Sequence, residues 1–142
     1  MSFEIFNPAA LGTPSGWSNG LLAPPGGRIL FVAGQSAAGS AGAAVGDLVA
    51  QFRVVLEKVL TVVGAAGGRP EHIGRFTIYV TDLDAYRAGR KPIGEAYRAL
   101  MGRHYPAMAL VEVKRLLDPG ALVEIEATAV LPAEPPAVTR PD

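Results

Sequence analysis

The sequence predicts an α+β domain, one mixed sheet with two helices packed on one face. Three observations point there. Runs rich in β-branched and aromatic residues stand near both ends and in the middle of the chain. Two stretches between them carry apolar residues at spacings of three and four. The resulting order is β-β-α-β-α-β-β, with strands bracketing the helices.

Met1 to Gly27 is punctuated by Pro8, Gly12, Pro14, Gly16 and Gly20, and reads as an extended arm with a short strand near Ser18–Leu22. Pro24-Pro25-Gly26-Gly27 reads as a turn. Arg28–Gly34 is then a second strand, forming a hairpin with the first. Residues 36–46 are a loop of small residues. From Val45 to Val63 the period changes: Val45, Leu48, Val49, Phe52, Val55, Leu56, Val59, Leu60 and Val63 line one helix face. Asp47 is its N-cap, and Gly64 with Gly67-Gly68 stops it.

His72–Thr81 alternates, with Phe76, Ile78 and Val80 on one face and Arg75, Thr77 and Tyr79 on the other. A short turn at 83–90 leads to a helix from Pro92 to Arg103, with Ile93, Ala96, Tyr97, Leu100 and Met101 inward. Ala107–Val113 and Leu122–Leu131 are the last strands, joined by a turn at Asp118-Pro119-Gly120. One domain is expected over residues 1–131, and a Pro-rich disordered tail over 132–142.

Composition removes several functions. The chain has 142 residues, enough for a single core, and its 49% hydrophobic content excludes a disordered protein. Without cysteine there is no disulfide, thiolate nucleophile or Cys-bound metal, and two histidines leave little for a metal site. No metal or cofactor is expected. Thirteen basic residues balance thirteen acidic ones, which speaks against nucleic acid as a partner. No apolar run is long enough to span a membrane and no leader pattern opens the chain, so a cytoplasmic location is expected. One helical layer covers only one sheet face. The other face therefore implies self-association, as a closed ring or barrel-like core.

Four segments, in register along the chain, are similar to the motifs of one known family. Ser15-Gly16-Trp17-Ser18-Asn19-Gly20 is similar to its GPYSQA segment, and Phe31-Val32-Ala33-Gly34-Gln35 to its FxSGQ. Tyr105-Pro106-Ala107-Met108-Ala109-Leu110-Val111-Glu112-Val113 is similar to FPARxxVEV, and Val123-Glu124-Ile125-Glu126-Ala127-Thr128-Ala129 to VEIEAIA. In these four segments the chain resembles the YjgF/RidA family, also called Rid or endoribonuclease L-PSP-like. The resemblance implies a chorismate mutase-like fold, a homotrimer, ligand clefts between subunits, and hydrolysis of 2-imino or 2-enamino acids to 2-keto acids and ammonia without a cofactor. Other relatives are described as endoribonucleases.

Carried over residue by residue, the resemblance puts the cleft aromatic on Trp17 and the ligand-facing backbone on Ala33 and Gly34. It puts the water-activating carboxylate on Glu124. Tyr105 is read either as a packing residue or as part of the cleft lining. The family's cleft Asn falls on Gly94, its Cys on Leu110, and its carboxylate-clamping Arg on Met108. Met cannot pair with a carboxylate, and losing such a clamp costs about 2–5 kcal/mol in binding. Lys114 and Arg115 are candidate replacements.

Glu124 and Glu126, two apart on a strand, share a face. A glycosidase-type couple finds no other support in the sequence. The expected function is thus a Rid-like imine or enamine hydrolase of a small reactive metabolite other than the usual 2-imino acids. Glu124 is catalytic, and Trp17, Ala33, Gly34, Tyr105 and Met108 bind the substrate. The alternatives are a non-catalytic small-molecule-binding or regulatory trimer, and an endoribonuclease using the chain's ten arginines.

Overall fold

The computed structural model describes residues 2–40 and 42–133. The elements are β1 (Glu4–Phe6), β2 (Gly20–Leu22), β3 (Arg28–Ser36), α1 (Leu48–Ala65), β4 (Ile73–Val80), α2 (Leu83–Ala88), α3 (Arg90–Met101), β5 (Ala107–Glu112) and β6 (Val123–Leu131). Single 3-10 turns lie at Ala9–Leu11 and Pro70–His72.

The main sheet has the order β3-β6-β4-β5. β6 runs antiparallel to both neighbours, and β5 runs parallel to β4. A parallel neighbour needs a crossover, which α2 and α3 supply. The sheet is therefore mixed, as expected. α1 packs on β3, β6 and α3, so the two long helices share one face.

Asp47 caps α1 by accepting a hydrogen bond from the Ala50 N–H at 2.9 Å. The apolar stripe then faces the sheet: Phe52, Val55, Leu56, Val59 and Val63 are all buried. Each such side chain stabilises the fold by roughly 1.5–3 kcal/mol relative to exposure. The strand alternation holds as well. Ile73, Phe76, Ile78 and Val80 of β4, with Val123, Ile125, Ala127, Ala129 and Leu131 of β6, meet the helices. Buried Gln51 ties the core to two loops. Its amide donates to the carbonyls of Gly46 (3.2 Å) and Gly120 (3.0 Å), and its carbonyl accepts from the Leu122 N–H (2.8 Å).

Several expectations are corrected. The proposed hairpin does not form: β2 pairs with β1, while β3 pairs with β6. Residues 1–27 are thus more than an extended arm. Their three-residue β1 lacked a readable alternation, and its partner lies beyond a Pro/Gly-rich stretch. Val45 precedes the helix and is 81% exposed, because the cap at Asp47 starts α1 only at Leu48. The turn at 83–90 contains a helix, α2, capped by Asp82 accepting from the Ala85 N–H. α3 begins before Pro92 and ends at Met101, with Gly102 at φ 62° beyond it. The element order is β-β-β-α-β-α-α-β-β. Of the tail expected over 132–142, residues 134–142 lie outside the described residues.

The face opposite the helices is uncovered. Phe31 is 79% and Ile29 63% exposed there, beside Arg75, Thr77, Tyr79, Glu126 and Thr128.

Candidate active site

The six predicted site residues fall into two groups on opposite faces of the sheet. The first is built by β5. Its alternate residues Met108 and Leu110 pair in register with buried Phe76 and Ile78, and so point to the helical side. There they floor a cleft of about 510 Å³ between β5, α2 and α3. Trp17 and Tyr105 line it too, as do Tyr86, Tyr97 and Gly94. The Tyr97 and Tyr105 rings stack with centroids 5.4 Å apart and planes 8° from parallel. Tyr97 donates to the His104 carbonyl at 2.6 Å, and burial pushes its phenol well above the ordinary range. Burial also raises Tyr86, while nearby Arg90 pulls it down. The Trp17 segment is pinned across the chain. The Ser18 hydroxyl donates to the Tyr105 carbonyl at 2.6 Å, and its N–H donates to the Pro106 carbonyl.

The second group lies on the open face. Glu124 on β6 is a register partner of Tyr79 on β4 and of Ser36 on β3. A register shift between Val32 and Gln35 puts Ala33 and Gly34 in an irregular stretch of β3. The Glu124 carboxyl lies directly over Gly34. A Cβ there would meet its Cδ at 2.9 Å and Oε2 at 3.0 Å. Gly34 is thus needed for the close approach of a carboxylate to backbone, and no positive φ is involved. Ala33 lines a shallow depression with Phe31, Arg75, Thr77, Glu126 and Thr128. Glu126 accepts from the Tyr79 hydroxyl at 3.0 Å. That bond, with smaller contributions from burial and from the charges of Glu126 and Glu124, raises the Tyr79 phenol.

The loop after Gly34 is held firmly. Lys58 donates to the carbonyls of Ser36 and Ala38, both at 2.7 Å, and the Ser36 hydroxyl donates to the Asp118 carboxylate. His104 makes a ring-nitrogen hydrogen bond with the Ile73 carbonyl at 2.6 Å and stacks on Phe3, both structural contacts.

Lys114 and Arg115, the candidate replacement cations, follow β5 and do not line the cleft. Three arginines do line it: Arg87, Arg90 and Arg98. Reading the sequence missed them. The available signal was the spacing of Gly94 and Arg98, four residues apart on one helix face. Among the described residues, no three His, Asp or Glu side chains gather to hold a metal, and no helix is long and apolar enough to cross a membrane.

The model of the family Endoribonuclease L-PSP matches residues 9–131. The chain belongs to this family. A RutC family protein of Pyrococcus horikoshii is 33% identical over 105 residues, covering 72% of this chain and 79% of that one. The 2-iminobutanoate/2-iminopropanoate deaminase of Salmonella typhimurium is 37% identical over 92 residues, 63% of this chain and 68% of that enzyme. Among solved structures, the Rid family protein YyfB of Yersinia pestis superposes with a TM-score of 0.79 at 33% identity, covering 92% of this chain and 100% of that one. This membership supports a function of the imine-deaminase or endoribonuclease type.

Proposed function

We propose that the chain is a C–N hydrolase acting on a small imine or enamine in a site completed between copies of itself, as a homotrimer. The observation that carries this is the Glu124 carboxyl held against the bare backbone of Gly34. It lies on the sheet face that also bears exposed Phe31 and Ile29. The aromatic cleft of Trp17, Tyr105 and Met108 is on the other side of the same sheet. A ligand touching both groups must sit where one copy presents its open face and another its β5 edge. The apolar open face supplies the reason for copies to associate.

The reaction balances with water alone. Glu124 takes a proton from water as the oxygen attacks the imine carbon. Glu124 returns that proton to nitrogen, giving a carbinolamine. The carbinolamine hydroxyl proton then moves to nitrogen, again through Glu124, as the C=O forms and the C–N bond breaks, and a carbonyl compound and ammonia leave. Met108 and Leu110 offer no charge to a carboxylate beside the reacting carbon. The substrate is accordingly not the usual 2-imino acid. Ring-stacking walls at Trp17 and Tyr105 favour a flat or apolar body.

The test follows decay of imines generated in situ from a panel of amino acids and neutral amines, with the wild type, Glu124→Ala and Phe31→Asp. Accelerated decay by the wild type, abolished by Glu124→Ala, is expected. Phe31→Asp should give a monomer by sedimentation and lose activity with it. A monomer that keeps full activity overturns the shared site. No acceleration of any imine overturns the hydrolase reading, and RNA cleavage in the same preparation would favour the nuclease type.

A further inference from the structure

We infer that Arg98, assisted by Arg90, forms an anion-recognition site in the aromatic cleft, taking the carboxylate of an aromatic or extended apolar acid. The inference rests on reading this cleft as the ligand site of the proposed hydrolase. It assigns the cleft a charge preference that Met108 alone would deny it.

The lining of the cleft contains three guanidinium groups and no carboxylate. Their pairing differs. Arg87 is engaged by Asp84 at 3.6 Å, whereas no carboxylate stands within 4 Å of Arg90 or Arg98 among the described residues. The placement of Arg98 depends on its neighbour. Its Nη1 lies only 3.2 Å from where a Cβ of residue 94 would be, and its Cζ and Nη2 both lie 3.9 Å away. Gly94 therefore opens the space into which the guanidinium folds, and any side chain there would crowd it. Arg90, two helical turns earlier on α3, sits close enough to Tyr86 to oppose the upward shift of its phenol.

The result is two charged forks at the rim of a cleft walled by Trp17, Tyr86, Tyr97 and Tyr105. A guanidinium presents its donors in a planar fork that matches a carboxylate in two parallel bonds. The aromatic walls match a flat or extended apolar body. The anion is thus received from the helical side of the cleft rather than from β5. A substrate using it would carry its carboxylate away from the β5 floor.

Trp17 is the only tryptophan and lines the cleft, so its emission reports occupancy. The full chain is titrated with phenylacetate and with phenylacetamide, its neutral counterpart. The acid is expected to bind at least tenfold more tightly. That preference should fall to within about twofold in Arg98→Gln, and fall in Gly94→Asn, which crowds the guanidinium while leaving its charge. It should shrink on raising the salt concentration and persist in Arg53→Gln, whose side chain pairs with Glu57 on α1. Equal affinity for acid and amide, binding of neither, or a preference surviving Arg90→Gln/Arg98→Gln would overturn the inference. Imine decay is read separately. Acid preference without hydrolysis removes the hydrolase reading and keeps the anion site; hydrolysis without acid preference does the reverse.

Discussion

Replacing Gly34 with Ala separates catalytic geometry from stability at one atom. The added methyl would stand 2.9 Å from Glu124 Cδ, 3.0 Å from Oε2 and 3.1 Å from Cγ. Carbon atoms rest about 3.5–4.0 Å apart. The carboxyl must therefore withdraw by about 0.5–1 Å. The displaced group is the free end of a flexible side chain, so the backbone need not move. Gly34 has no positive φ to strain, and Ala narrows the unfolded ensemble by about 0.4–1 kcal/mol. Folding stability should hence stay within about 1 kcal/mol of wild type.

Catalysis is far less tolerant, since a displacement of about 1 Å can cost roughly a hundredfold. Gly34→Ala is expected to lower kcat about 10- to 100-fold with KM changed less than about threefold. The melting temperature should remain near wild type. Imine decay under saturating substrate measures the first, and thermal unfolding the second. The double variant Gly34→Ala/Glu124→Ala should be no slower than Glu124→Ala alone, because both changes remove one positioned carboxylate. Wild-type kcat in Gly34→Ala would refute the role given to Glu124. A further loss in the double variant would show that the two residues act separately.

Two further predictions concern the framework. Gln51→Leu leaves two carbonyls and one N–H without their partner at Gly46, Gly120 and Leu122, and should destabilise by about 2–4 kcal/mol in urea unfolding. Tyr97 is held neutral by burial, its phenol raised above the ordinary 10.0. Above pH 10 the unfolded chain releases this proton while the folded chain keeps it, so stability is full below pH 10 and falls as pH rises beyond it. Tyr97→Phe should reduce that alkaline slope in unfolding measured between pH 8 and 11, at the cost of the bond to the His104 carbonyl.

The sequence reported best where one physical rule acts locally. The face of α1 was legible because Phe52, Val55, Leu56, Val59 and Val63 meet the core at helical spacing, and Asp47 announces the start. β4 was legible because burial alternates from Arg75 to Val80. Pairing was not. The turn residues at Pro24–Gly27 suited a hairpin, yet β3 finds its partner in distant β6 and β2 finds its own in β1, a choice made by tertiary packing. The site divides in the same way. Glu124 and Gly34 were found through resemblance, and their contact across strands could not be read from spacing. Arg90 and Arg98 were not singled out in the sequence, because only the cleft between α3 and β5 gives their positions meaning.

The place of β6 in the sheet has a consequence for how the molecule comes into being. β6 lies between β3 and β4 and leaves the ribosome after every other described strand of the main sheet, yet it joins the two halves of that sheet. Before it emerges, β3 has no neighbour in the main sheet and the apolar side of α1 has lost much of what it packs on. Folding is thereby postponed until β6 has emerged, and until then the nascent chain carries an unpaired strand and a partly uncovered helix face. Chaperone occupancy should fall steeply once Val123–Leu131 clears the exit tunnel.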